Sequence, residues 1–166
     1  PSTERVYHEV ERKFSLRNVI MVHPSDEEYY QESLSACPVA RGHGGVVNHP
    51  LLSVPAIDLD GMSQEEAVKA LLESYFAPGS RKVREIMKKI TPLDPVELTP
   101  EIALFHTHTD GIDNPVVLLG RSLEGLELPG MKVKVSAVFM LVSPNDQTAA
   151  HLKTLASIAQ MARDCF

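Results

Sequence analysis

In EIALFHTHTDG, Glu101 to Gly111, an apolar run ends in His106 and His108 at a polar turn. An imidazole changes charge near neutral pH and offers two nitrogens, so it can serve as nucleophile, acid or base, or metal ligand. If the run is extended, alternation sets Ile102, Leu104, His106 and His108 on one face and Ala103, Phe105 and Thr107 on the other. The i, i+2 spacing suits a metal pair. It equally suits one reactive imidazole with a helper, or two solvated loop histidines. A further histidine, His151, falls in the first turns of the last helical segment, where two readings stay open, an exposed helix residue or a group beside an anion at the helix start. The free N–H groups and partial positive charge of a helix start would stabilise an anion placed nearby.

These residues need a scaffold, and the surrounding patterns describe one. Leu51–Leu59 is apolar and β-prone and ends at the turn Asp60-Gly61. Ser63 followed by Glu66 forms a capping box, and Ala67, Val68, Leu71, Leu72, Tyr75 and Phe76 recur at helical spacing, predicting a helix over 64–76. Pro78-Gly79 ends it. Ser80 caps a second helix over 80–90, carrying Val83, Ile86, Met87 and Ile90, with Lys88 and Lys89 in its last turn where cations complement the helix dipole. The proline-studded TPLDPVELTP then reads as a loop delivering the chain to the histidine strand. Strands are expected over 115–120 and 133–142. The second of these, nearly all apolar, has the pattern of a strand covered on both faces and at the centre of its sheet. The turn SPND leads into a helix over 147–164 with an inner stripe of Leu152, Leu155, Ile158, Ala159 and Ala162. The predicted fold is α/β: a mixed β-sheet flanked by helices on both faces.

The first fifty residues differ. Asn18–His23 is a strand candidate, Ser25 begins a helix that stops near Pro38, and Ala40–Pro50 is a Gly- and His-rich loop. That loop lacks the Lys-Ser/Thr ending and the GxGxxG spacing of phosphate-cradling motifs. Residues 1–50 are therefore expected to form an N-terminal extension of unclear role, with the main domain over 51–166.

Composition bounds the function. At 166 residues the chain is long enough for one well-cored domain with an appendage, and 43% hydrophobic with 23% charged residues fits a water-soluble globular protein. A net charge of −6 without a basic stripe argues against nucleic acid as partner. Cys37 and Cys165 are far apart with no CxxC spacing, which fits a reducing compartment and argues against a disulfide framework or zinc knuckle. No apolar run reaches membrane-span length, and the N-terminal segment lacks the apolar core of a signal peptide, so no direct membrane insertion is expected. The missing initiator Met points to a trimmed protein or a piece of a longer one.

Taken in order, SQEEAVKALLESYF, EIALFH, NPVVLLGRSLEGLELPG and VFMLVSPNDQTAAHLKTLASIAQMARD resemble the enzyme IIA domain of the fructose/mannitol/nitrogen-regulatory class of the bacterial phosphotransferase system. The resemblance runs from about Leu51 to Phe166. It implies the α/β sandwich of that class, a phospho-accepting histidine at His106, a second active-site histidine at His151, and no metal or organic cofactor. His108 would line the rim, and His151 with the start of its helix would donate to the phosphoryl oxygens. The family usually has proline where Phe105 stands and a glycine-rich approach where VELTPE stands. Its upstream Arg-Glu is also replaced, with Lys88 and Lys89 near the right distance to supply positive charge for binding.

On this basis the expected function is regulation or signalling through a phosphotransferase-type domain, either free in the cytoplasm or as the cytoplasmic domain of a secondary transporter. The expected partners are an HPr-like phosphodonor and a transporter or regulatory target. The bulk of Phe105 beside the acceptor is the ground for preferring a regulator, since it would obstruct a docking phosphodonor. The alternatives are an active phosphocarrier passing phosphate from HPr to a sugar-transporting partner, and a metal-binding module of His106, His108 and His151.

Overall fold

The structure is a computed structural model that describes residues 49–164. The elements expected before His49 lie outside the described residues. In chain order the elements are β1 (Ile57–Asp58), α1 (Gln64–Glu73), α2 (Arg81–Ile90), β2 (Val96–Thr99), β3 (Ile102–Thr109), β4 (Val116–Leu126), β5 (Val135–Pro144) and α3 (Thr148–Asp164). The strands form one mixed sheet in the order β1-β4-β5-β3-β2. Strand β5 lies at its centre, parallel to β3 and antiparallel to β4, as its uniformly apolar sequence predicts.

Alternation along the central strands divides the core into two layers. Ala103 and Phe105 of β3, Val116 and Leu118 of β4, and Val138, Met140 and Val142 of β5 pack with Leu71, Leu72, Val83 and Ile86 of α1 and α2. The intervening residues Ile102, Leu104, Val117, Leu119, Phe139 and Leu141 pack with Leu155, Ile158, Met161 and Ala162 of α3. The helices form where their caps and stripes require. Ser63 and Glu66 make the reciprocal capping box of α1. The Ser80 side chain accepts from the Val83 backbone N–H at the start of α2.

Two expectations fail at the sheet's edges. The strand over 51–59 contracts to Ile57–Asp58, paired with Gly120 and Arg121 of β4. Pro55 has no N–H to give a ladder, and Ser53 fastens the preceding segment instead. Its backbone N–H donates to the Val117 carbonyl at 2.9 Å, and its Oγ accepts from the Val117 N–H at 3.0 Å. Conversely, VELT is not loop but the edge strand β2, antiparallel to β3 with Val96 opposite Leu104 and an irregularity between Glu97 and Thr99. Its prolines, Pro95 and Pro100, flank the strand on the sheet's edge, where a missing donor breaks no interior ladder. The register also fixes the site: His106 lies opposite Leu141 and His108 opposite Ser143 at the β3–β5 exit.

Candidate functional site

At the C-terminal ends of the parallel strands β3 and β5, three imidazoles converge under the first turn of α3. The alternation that sends Ile102 and Leu104 into the α3 layer carries His106 and His108 to the same side. The turn after Pro144 sets α3 across the strand ends, and His151, whose N–H bonds the Gln147 carbonyl at 3.0 Å, faces down onto them. It is no exposed helix residue; only 4% of its surface is accessible.

His106 Nδ1 and His151 Nε2 are 3.2 Å apart, and the other nitrogen of His151, Nδ1, lies 2.6 Å from Ser143 Oγ. One proton is shared across each contact, so the tautomers of the two histidines are tied together. The His108 ring lies closer to that of His151 than His106 does, with centroids 4.2 Å rather than 5.2 Å apart, and its Nδ1 is 3.4 Å from the Pro144 carbonyl oxygen. It thus packs against the pair as well as lining the rim. Burial pushes the His151 pKa down to about 4, helped by the charges His108 and His106 would carry, and burial followed by His108 lowers that of His106. His106 and His151 are therefore neutral at pH 7, each with one N–H and one lone pair.

The other face of β3 holds what obstructs nothing. Phe105 is 2% exposed and lies in the α1/α2 layer, on the opposite side of the sheet from His106. Obstruction of a docking partner by its bulk is excluded by strand alternation.

The lysines divide. Lys89 Nζ donates to the His108 carbonyl at 2.8 Å, while Lys88 is exposed and has no hydrogen bond or ion pair to the imidazoles among the described residues. Lys82, on the turns of α2 before Lys89, does more at the strand exit. Its ammonium donates to Asp110 O at 2.7 Å, Asp110 Oδ1 at 2.9 Å and Thr109 Oγ1 at 3.1 Å. That hydrogen bond and the ammonium charge hold the Asp110 carboxyl below its usual range. Sequence reasoning misses Lys82 because nothing local links it to a turn 28 positions on. It also misses Ser143, for which a signal exists: Ser143 is the one polar residue at the inward positions 137, 139, 141 and 143 of β5.

Among the described residues no group of three or more His, Cys, Asp or Glu side chains is arranged to hold a metal ion. No helix among them is long and apolar enough to cross a membrane.

The domain is an open mixed α/β sheet with two helices on one face and one on the other, and His106 and His151 are paired at the strand exits. The comparison of sequences supplies the family. Residues 54–165 match the family described as "Phosphoenolpyruvate-dependent sugar phosphotransferase system, EIIA 2", and the chain belongs to that family. No curated protein sequence matches the chain. Among solved structures, the nitrogen regulatory protein IIA-Ntr from Neisseria meningitidis is similar in fold, with a TM-score of 0.50 and 20% identity over 63% of this chain and 75% of that one.

Proposed function

We propose that this domain carries a phosphoryl group on Nε2 of His106 and that the phosphorylated and free forms are read by a partner, as a regulatory output. The observation that carries the proposal is the 3.2 Å contact between His106 Nδ1 and His151 Nε2. It engages one nitrogen of His106 and leaves Nε2, on a half-buried ring, without a hydrogen bond among the described residues.

The transfer balances without a cofactor. The Nε2 lone pair of neutral His106 attacks the phosphorus of a phosphohistidine on an HPr-like donor as the donor's N–P bond breaks, its electron pair returning to the donor ring. His106 then carries the new N–P bond and keeps its proton on Nδ1, so its ring gains positive charge. His151 Nε2 accepts that Nδ1–H and stabilises the charge as it develops. Both nitrogens of His151 are engaged, one with His106 and one with Ser143, so its role in this reading is to support the acceptor ring rather than to donate to phosphoryl oxygens. His108, on the same face two residues on, is the imidazole placed to bind the phosphoryl oxygens from the rim.

Regulation is preferred to flux because of the cations. The ammonium groups beside the strand exit, Lys82 and Lys89, are held on backbone carbonyls, and lysine meets phosphate as a point charge without the bidentate fork of arginine. Fewer free cations favour a slowly turning phosphorylated state, which suits a signal better than a relay. In this reading the domain works in the cytoplasm, free or tethered as part of a transporter. The test is incubation with phosphoenolpyruvate, enzyme I and HPr, followed by addition of B-type and C-type sugar-transporter domains. A stable phosphoprotein that discharges slowly supports the regulator. Rapid discharge to the transporter domains would identify a carrier, and no phosphoprotein at all would refute the acceptor role.

A further inference from the structure

We propose that Ser143 is the positioning residue that selects which nitrogen of His106 is nucleophilic, by fixing the tautomer of His151. The inference deepens the reading of His106 as phosphoacceptor and rests on it. Its basis is a chain of contacts that runs from the half-exposed acceptor into the core: His106 Nδ1 to His151 Nε2 at 3.2 Å, then His151 Nδ1 to Ser143 Oγ at 2.6 Å. Ser143 is 0% exposed and His151 is 4% exposed, so water does not compete for either end of the second contact.

Each ring in this chain has one proton to place. If the proton of His151 sits on Nε2, it points at His106 Nδ1, which must then be the bare nitrogen. His106 Nε2, the outward one, is protonated and has no lone pair to attack with. If instead the proton of His151 sits on Nδ1, donated to Ser143 Oγ, then His151 Nε2 is bare. It accepts from His106 Nδ1–H, and the lone pair of His106 lies on Nε2, facing the donor. A free imidazole ring prefers its proton on Nε2, which is the unproductive arrangement. In the proposed role Ser143 Oγ accepts the Nδ1–H of His151 rather than donating its own proton to that nitrogen; this reverses the preference, and the outer nitrogen of His106 becomes the nucleophile two contacts away. The logic is that of any orienting group behind a catalytic imidazole, where the wrong tautomer disables a ring whose position is unchanged.

Sequence and register explain why Ser143 can do this. The inward positions of β5 before it are Ala137, Phe139 and Leu141, all packed under α3. One step on, at the register position opposite His108, a hydroxyl replaces the hydrocarbon under the first turn of α3. A buried hydroxyl there would be costly without a partner, and His151 Nδ1 is that partner.

The experiment uses protein labelled with 15N in its histidine rings, as wild type and as Ser143→Ala and Ser143→Thr, with the resonances of His106 and His151 assigned by His106→Gln and His151→Gln. The ring-nitrogen shifts report each tautomer, and the initial rate of phosphoryl uptake from phosphorylated HPr is measured in parallel. The expected result is Nδ1–H on His151 in wild type and in Ser143→Thr, and its loss in Ser143→Ala, with uptake slowed by about ten- to a hundredfold in the alanine variant and restored by threonine. An Nε2–H tautomer on His151 in wild type would overturn the proposal. So would an alanine variant that keeps the wild-type tautomer and takes up phosphate within about twofold of the wild-type rate. If the chain takes no phosphate while Ser143→Ala still shifts the His151 tautomer, the acceptor reading fails and the Ser143 contact stands on the spectra alone.

Discussion

His106 and His151, 45 positions apart in the chain, meet at 3.2 Å because one lies in the C-terminal half of β3 and the other in the first turn of a helix that returns across the strand ends. The pairing depends on three local facts: the alternation of β3, the parallel register of β3 with β5, and the turn at Pro144 that launches α3. Altering any of these would move one ring without the other.

The roles of the two rings separate by substitution. His106→Gln should abolish phosphoryl uptake and leave stability within about 1 kcal/mol of wild type, since the ring is half-buried at the rim. His151→Ala should slow uptake by roughly a hundredfold rather than abolish it, because it removes the support and not the nucleophile. Mass measurement of acid-labile phosphate and thermal unfolding of both variants check this. Equal loss of uptake in the two would contradict the division.

Stability should fall on acidification through the histidine range. His151 has its pKa lowered to about 4 in the fold against an ordinary 6.5, so between these values the unfolded chain binds the proton that the fold rejects. The contribution is absent above pH 6.5, grows as pH falls, and levels off near pH 4, amounting to about 3 kcal/mol of lost stability. His106, lowered in the same direction, adds to it. Urea unfolding between pH 7 and pH 4 measures this. In His151→Gln the slope should be visibly shallower, and an unchanged slope would show that His151 is not the group responsible.

Much of this arrangement is legible in the sequence. Periodicity locates α1, α2 and α3, and the unbroken apolar run of β5 marks the central strand, because both patterns are local consequences of burial. The alternation of β3 places both histidines on one face, and the same alternation sends Phe105 to the opposite layer, against the expectation that its bulk stands beside the acceptor. What the sequence hides is non-local. The strand β2 lies among prolines because its edge position, which tolerates them, is a property of the sheet. Leu51–Leu59 looks like a strand, yet Pro55 and the Ser53 contacts leave only Ile57–Asp58 in the ladder. Lys82 meets its partners only through tertiary structure and nothing in the sequence around it announces its role, whereas Ser143 shows only as the one polar residue among the inward positions of β5.

Phe105→Ala should destabilise the domain by about 3–4 kcal/mol through the cavity it leaves, while the 15N shifts of His106 and His151 stay close to wild type. Phe105→Pro, by contrast, should fail to fold well. It removes a backbone donor from an interior strand lying between β2 and β5. Chemical denaturation and the histidine spectra test both. A large change in the His106 signals of Phe105→Ala would mean the two layers are more tightly coupled than the packing indicates.

The approach of β1 to β4 makes a separate prediction. A Cβ added at Gly120 would collide with the side chain of Leu59, which is fully buried. Gly120→Ala should therefore cost about 1–3 kcal/mol by overpacking, and Leu59→Val should relieve part of it. Non-additive unfolding free energies in the double variant would confirm the contact. Simple addition would place the strain elsewhere.

The central claim is that His106, through Nε2, takes a phosphoryl group. Its most direct test is incubation of the chain with phosphoenolpyruvate, enzyme I and HPr, followed by 31P and 15N spectra of the product. The account predicts one acid-labile phosphoryl group per chain, bonded to Nε2 of His106, with Nδ1 still hydrogen-bonded to His151. Phosphate on Nδ1, on His108 or His151, or no phosphate at all, would contradict it.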